Sequence, residues 1–218
     1  MKADLSNAGW SIPQAKSDRG RGARLLGLAV LVAMAWAAQA RGQYLARQVN
    51  LSYLAQRAGV IVEGRVIAAR YEGDPDYPHV PTVLVTLQVE QMLRGPEGGR
   101  YTFRQFILPR EVRGGKRGYA VGQRLLLFLP EPSRYGLSSP IGHEQGRFHI
   151  LRDQRGRDVI ENEFHNLGLF HNVAQDAEQG GAALSDQQLS VTASTGGPVP
   201  LEDFTRLVRH LMLLPRIE

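Results

Sequence analysis

The chain has 218 residues, 43% of them hydrophobic and 22% charged, an ordinary globular composition that excludes fibres, collagen-like repeats and polytopic membrane proteins. Its 26 basic and 21 acidic side chains give a net charge of +5, but residues 1–40 hold five of the basic and two of the acidic ones, so the remaining 21 and 19 leave +2, without the basicity of a nucleic-acid binder. Cysteine is absent, which excludes disulfides, thiolate nucleophiles and thiolate metal sites and leaves the fold dependent on its apolar core.

Residues 25–38 (LLGLAVLVAMAWAA) form an uncharged apolar run behind Arg19, Arg21 and Arg24 and ahead of Ala38-Gln39-Ala40. Basic flank, short apolar stretch and small residues at Ala38 and Ala40 predict a secretory signal cleaved after Ala40. An uncleaved membrane anchor and a core helix are the alternatives. Fourteen residues of helix span only about 21 Å against about 30 Å of hydrocarbon, and the run has no polar face. No twin arginine precedes it, which favours the general secretory route.

A short helix is predicted after Asn50, with Leu51, Leu54, Ala55 and Ala58 on one face and Gly59 as a left-handed stop. Residues 60–70 then alternate, with Val60, Val62, Val66 and Ala68 opposite Ile61, Glu63, Arg65 and Ile67, and Gly64 marks a bulge or strong coil. Beyond the turn-rich Gly73 to Pro81, residues 82–93 alternate most clearly of all, through Val83, Val85, Leu87 and Val89. Gly95-Pro96-Glu97-Gly98-Gly99 turns this strand into residues 100–107 as an antiparallel hairpin. A basic, glycine-punctuated loop leads to residues 124–129, whose unbroken Leu125 to Leu129 run requires cover on both faces. Pro130 and Pro132 end that strand, and a last hairpin joins residues 147–151 to 158–161 through Asp153 to Gly156. Short antiparallel strands without long helices between them predict a small barrel rather than a βαβ sheet.

Residues 173–199 are rich in Gln, Gly, Ala, Ser and Thr and are predicted to be a flexible linker. From Pro200 the pattern is helical: Glu202 and Asp203 suit a helix start, Leu201, Phe204, Val208 and Leu211 share a stripe, and Pro215 stops it. This amphipathic helix either packs on the barrel or docks on a partner or membrane surface.

No catalytic set assembles from local spacing. The metal pattern H-E-x-x-H fails at His143-Glu144 because Arg147 stands where the second histidine belongs. His165 and His171 with Glu161 and Glu163 are weak metal-ligand candidates, since no short repeat fixes them on one face, and surface histidines are the competing account. Ser138-Ser139 lacks a nucleophile elbow, and Asp74-Pro75-Asp76 is turn chemistry rather than a calcium loop. No cofactor is predicted. The concentrated charge of Arg104, Arg110, Arg113, Lys116 and Arg117 is either a solvated loop or an anion- or partner-binding surface.

The run Ala58-Gly59-Val60-Ile61-Val62-Glu63-Gly64-Arg65-Val66, the Val83 to Val89 strand, Leu93-Arg94-Gly95-Pro96-Glu97, and Gly122 with Leu125 to Leu129 together resemble the core of netrin-like and tissue-inhibitor-of-metalloproteinase domains. They also resemble exported bacterial proteins of unknown function with the same order. The resemblance covers about a third of the chain and implies a mainly β, five- to six-stranded antiparallel OB-like barrel with a short amino-terminal and a carboxy-terminal amphipathic helix. It does not carry the inhibitory mechanism, in which an amino-terminal cysteine chelates the protease metal, because this chain has no cysteine.

The expected organisation is a signal peptide at 1–40, the barrel at 41–172, the linker at 173–199 and the helix at 200–218. The expected function is that of an exported (periplasmic, cell-surface or secreted), non-enzymatic module binding a protein partner, toward a secreted metalloprotease in its narrowest form. Nucleic acid is not expected, and membrane contact is confined to the amino-terminal segment. A metal-dependent hydrolase centred on His165 and His171, and a membrane-anchored interaction protein retaining residues 25–40, are the alternatives.

Overall fold

A computed structural model describes residues 48–107 and 118–215; the 25–38 run and the cleavage positions Ala38 and Ala40 lie outside the described residues. Helix α1 (Leu51–Arg57) starts as its sequence dictates, with the Asn50 side chain accepting the Tyr53 N–H at 2.9 Å. It ends differently. Ala58 is extended (φ −69°, ψ 126°), and Gly59 is needed for space rather than for a left-handed turn, since a Cβ there would lie 2.8 Å from the Glu131 backbone nitrogen.

Strands β1 (Val60–Gly73) and β2 (Pro81–Arg94) form a long antiparallel hairpin, and β3 (Arg100–Phe106) continues it. The register slips between Glu63 and Gly64, the irregularity that the glycine predicted. A Cβ on Gly64 would sit 2.6 Å from the Gln88 carbonyl oxygen, so the close approach of β2 requires glycine there. Strand β4 (Arg124–Leu129) pairs with the other edge of β1, followed by β5 (Arg147–Arg152), β6 (Asp158–Asn162) and the two-residue β7 (Val199–Pro200).

The seven strands make one antiparallel sheet in the order β3-β2-β1-β4-β5-β6-β7. The sheet is open, in place of the closed five- to six-stranded barrel predicted. Among the described residues an isolated parallel bridge, Arg104 to Leu137, ties the outer edge of β3 to the segment after β4. Pro130, Pro132 and Pro140 in that segment have no N–H to extend a ladder. The chain instead turns away through a 3₁₀ helix (His143–Gly146) and widens the sheet with β5, β6 and β7.

Two apolar cores lie on opposite faces of β1 and β4. Val62, Val66, Val83, Val85, Leu87, Phe103, Leu125, Leu127 and Leu129 build one with Tyr119. Ile61, Leu126, Phe128, Phe148, Ile150 and Ile160 form the sheet side of the other, which the helices cover.

Residues 173–199, predicted as a linker, contain α2 (Val173–Gln179), α3 (Asp186–Thr192) and the start of β7. Val173 and Ala177, one helical turn apart, are buried in the helix-covered core with Val191 and Val199, so a few well-spaced apolar groups outweigh the polar composition. Ser185 and Gln188 cap α3 reciprocally, each side chain accepting the other's backbone N–H. Asn166, fully buried, donates to the carbonyls of Ile160 and Gly197 at 3.0 and 2.9 Å and so ties β6 to the chain returning toward β7.

The predicted carboxy-terminal helix is α4 (Leu201–Leu211), shorter than residues 200–218. It packs on the sheet, with Phe204 at its centre: the ring lies 5.1 Å from Phe148, 6.4 Å from Phe170 and 6.5 Å from Phe128. Arg94, at the end of β2, donates to the Ala55 and Ala58 carbonyls at 2.7 and 2.8 Å and to Met212 at 3.4 Å, placing a cation at the carboxy-terminal ends of both α1 and α4. No helix among the described residues is long and apolar enough to cross a membrane.

Phe204→Ala removes the side chain that three other rings enclose, and lowers stability by about 3–5 kcal/mol. Leu213→Ala, at a side chain left 85% exposed just beyond the same helix, changes it by under about 0.5 kcal/mol. Urea unfolding of both variants checks the contrast.

Candidate functional site

Along the helix-covered face of the sheet, the period of two runs from apolar to charged positions. Ile61 is followed by Glu63 and Arg65 on β1, Leu126 is preceded by Arg124 on β4, Ile150 is followed by Arg152 on β5, and Ile160 is preceded by Asp158 on β6. Strand register aligns them, since Arg65 pairs with Arg124 and Arg152 with Asp158. The apolar floor beneath the helices thus passes into a charged ledge.

Arg124 is the centre of that ledge. Its guanidinium reaches Asp158 at 2.6 Å, Glu90 at 2.8 Å and Glu63 at 3.0 Å, so one cation joins carboxylates from β1, β2 and β6. Arg65 adds to Glu90 and Arg152 to Asp158, each at 3.5 Å. The carboxylates respond oppositely. Burial pushes the Glu63 carboxyl above the ordinary glutamate range, and the attraction of Arg124 only partly offsets it. The better-solvated Asp158 is held below the ordinary aspartate range, chiefly by the Arg124 hydrogen bond.

A groove of about 740 Å³ opens beside this network. Glu63, Gln91 and Asp158 line its sheet side, Arg152, Gly156 and Arg157 of the β5–β6 hairpin form one wall, and Leu201, Glu202, Thr205, Arg206 and Arg209 of α4 form the other. Arg206 bonds to Glu202 and to Gln187 at 2.7 Å each, and Gln187 in turn donates to Asp203 at 2.7 Å, so α3 braces the wall. Arg157 pairs with Asp153 at 2.8 Å. Arg209 is exposed and makes no ion pair among the described residues. The lining therefore mixes positive and negative groups, most of them paired with neighbours, and includes the uncommitted guanidinium of Arg209.

The sequence-predicted candidates lie elsewhere. Arg104 pairs with Glu72 at 2.8 Å and donates to Thr82, while Arg110, Arg113, Lys116 and Arg117 fall outside the described residues. His165 meets Glu161 at 3.0 Å, and Glu163 meets His149 at 3.0 Å, so these two glutamates enter separate pairs. His171 contributes its carbonyl, which accepts from Asn50. Among the described residues no group of three or more His, Asp or Glu side chains is placed to hold a metal ion. Glu63, Glu90, Arg124 and Asp158 were not singled out as a site from sequence. Their readable signal is the same on several strands, a charged residue in phase with core positions. Compared with known proteins, the chain matches no family model, no curated protein and no solved structure.

Arg124→Ala leaves its three carboxylates without their shared partner and costs about 3 kcal/mol of stability, while Glu63→Gln costs under about 1 kcal/mol at neutral pH. The folded chain holds the Glu63 proton more tightly than the unfolded one, so this group's contribution declines as pH rises from 4.5 through its raised folded value. Asp158 acts oppositely: its contribution is present above 3.8 and lost as pH falls through its lowered folded value. Glu63→Gln accordingly gains stability relative to the parent as pH rises above 4.5, a trend read from urea midpoints at acidic and neutral pH.

Proposed function

We propose that this chain is an exported, non-enzymatic binding module that acts through protein–protein contacts at the cell envelope or outside the cell, and that the groove beside α4 receives its partner. The observation that carries the reading is the groove's mixed-charge lining, which holds Arg152, Arg157, Arg206 and Arg209 together with Glu63, Asp158, Glu202 and Asp203. Fixed charges of both signs at defined positions select a complementary surface and its orientation more than they add raw affinity. The exported location rests on the amino-terminal signal pattern of residues 1–40.

An OB-like, netrin-like arrangement of the first four strands is part of the same reading. The order β3-β2-β1-β4, with Leu137 reaching the outer edge of β3 in parallel, supports it. A partner that is a secreted metalloprotease is its narrowest form.

A photo-crosslinking amino acid at Arg209 in the native host yields one discrete adduct in the envelope or medium fraction, and the identity of the adduct decides whether the partner is a metalloprotease. The same probe at Arg100, on the far edge strand, yields none. Adducts of equal yield from both positions, or a chain retaining Met1 in the cytoplasm, overturn the reading.

A further inference from the structure

Two tight turns bring aromatic side chains together away from the groove. In the β1–β2 connection the buried Asp74 carboxylate accepts the N–H groups of Asp76 and Tyr77, both at 3.0 Å. After β4, the Ser133 hydroxyl accepts those of Tyr135 and Leu137 at 3.3 and 3.2 Å, and Ser138 N–H anchors this second turn to the Arg104 carbonyl at 2.8 Å. Their rings meet edge to face, 5.7 Å apart with planes at 87°, and remain 51% and 47% exposed.

Arg134 places its guanidinium over the Tyr135 ring, 4.6 Å from the centroid, and makes no ion pair among the described residues. The exposed guanidinium keeps N–H donors that can take a carboxylate through two parallel hydrogen bonds. The corner thus offers aromatic faces, two phenolic hydroxyls and a cationic fork, all on turns already fixed by side-chain caps.

We propose that Tyr77, Arg134 and Tyr135 form a subsite for an acidic saccharide, a pyranose ring that carries a carboxylate. The C–H face of the sugar meets the negative face of a tyrosine ring, its hydroxyls exchange hydrogen bonds with the phenols, and its carboxylate is held by Arg134. Pre-formed turns lower the ordering cost of so small a contact. A single-stranded nucleic acid is the less suitable occupant, because perpendicular rings do not present successive parallel platforms for stacked bases and a single guanidinium does not track a phosphate backbone. The subsite shares no residue with the groove and does not depend on the groove's role.

The test is calorimetric titration of the full chain with tetragalacturonate, with the neutral galactose tetramer, and with an oligo-thymidine of eight nucleotides. The uronate binds about tenfold more tightly than the neutral sugar, and Arg134→Gln removes that preference. Tyr135→Ala abolishes binding of both sugars. All three side chains are exposed, so the variants keep the parent's unfolding midpoint, which is measured alongside. Absence of uronate binding, equal affinity for acidic and neutral sugars, an Arg134→Gln variant that keeps the preference, or tighter binding of the oligo-thymidine each overturns the proposal.

Discussion

The five residues Leu125 to Leu129 are all fully buried, and they make β4 the shared wall between two cores. Leu126 and Phe128 face the helices, while Leu125, Leu127 and Leu129 face the core built with β1, β2 and β3. A slip of one residue against β1 or β5 would exchange these faces, so the strand's register is fixed on both sides at once. The charged ledge inherits its position from this constraint. Arg124 begins β4 in phase with Leu126 and Phe128, and the register that buries those two rows sets the guanidinium beside Glu63 and Asp158.

Placing Arg124 there is costly unless its N–H groups find acceptors, because a partly buried cation loses water on most sides. Three carboxylates from separate strands compensate it, and two further arginines spread the charge outward. The network therefore locks β1, β2, β4 and β6 together at the place where the helical layer ends. Glu63, Asp158 and Arg152 of the network also line the groove, so side chains that secure the sheet also shape the proposed binding surface.

Much of the sheet was legible because its signals are local. The alternation through Val83, Val85 and Leu87, the irregularity at Gly64 and the two-faced burial of the Leu125 to Leu129 run all follow from period and glycine placement. Closure was not legible, because it depends on whether the proline-bearing segment after β4 ladders with β3, a question of distant partners. The polar 173–199 stretch concealed two helices, although the Ser185 to Gln188 capping box was a readable start signal for the second. The ledge was hidden for another reason: Glu63 and Asp158 are 95 positions apart in the sequence and are brought to one guanidinium only by strand order.

The Arg94 clamp couples parts of the molecule that composition would treat as separate. One guanidinium, carried by β2, closes the carbonyl ends of α1 and α4, near the two extremes of the described chain, so both helix ends depend on the same donor. Loss of that one side chain leaves the last carbonyls of both helices short of a donor.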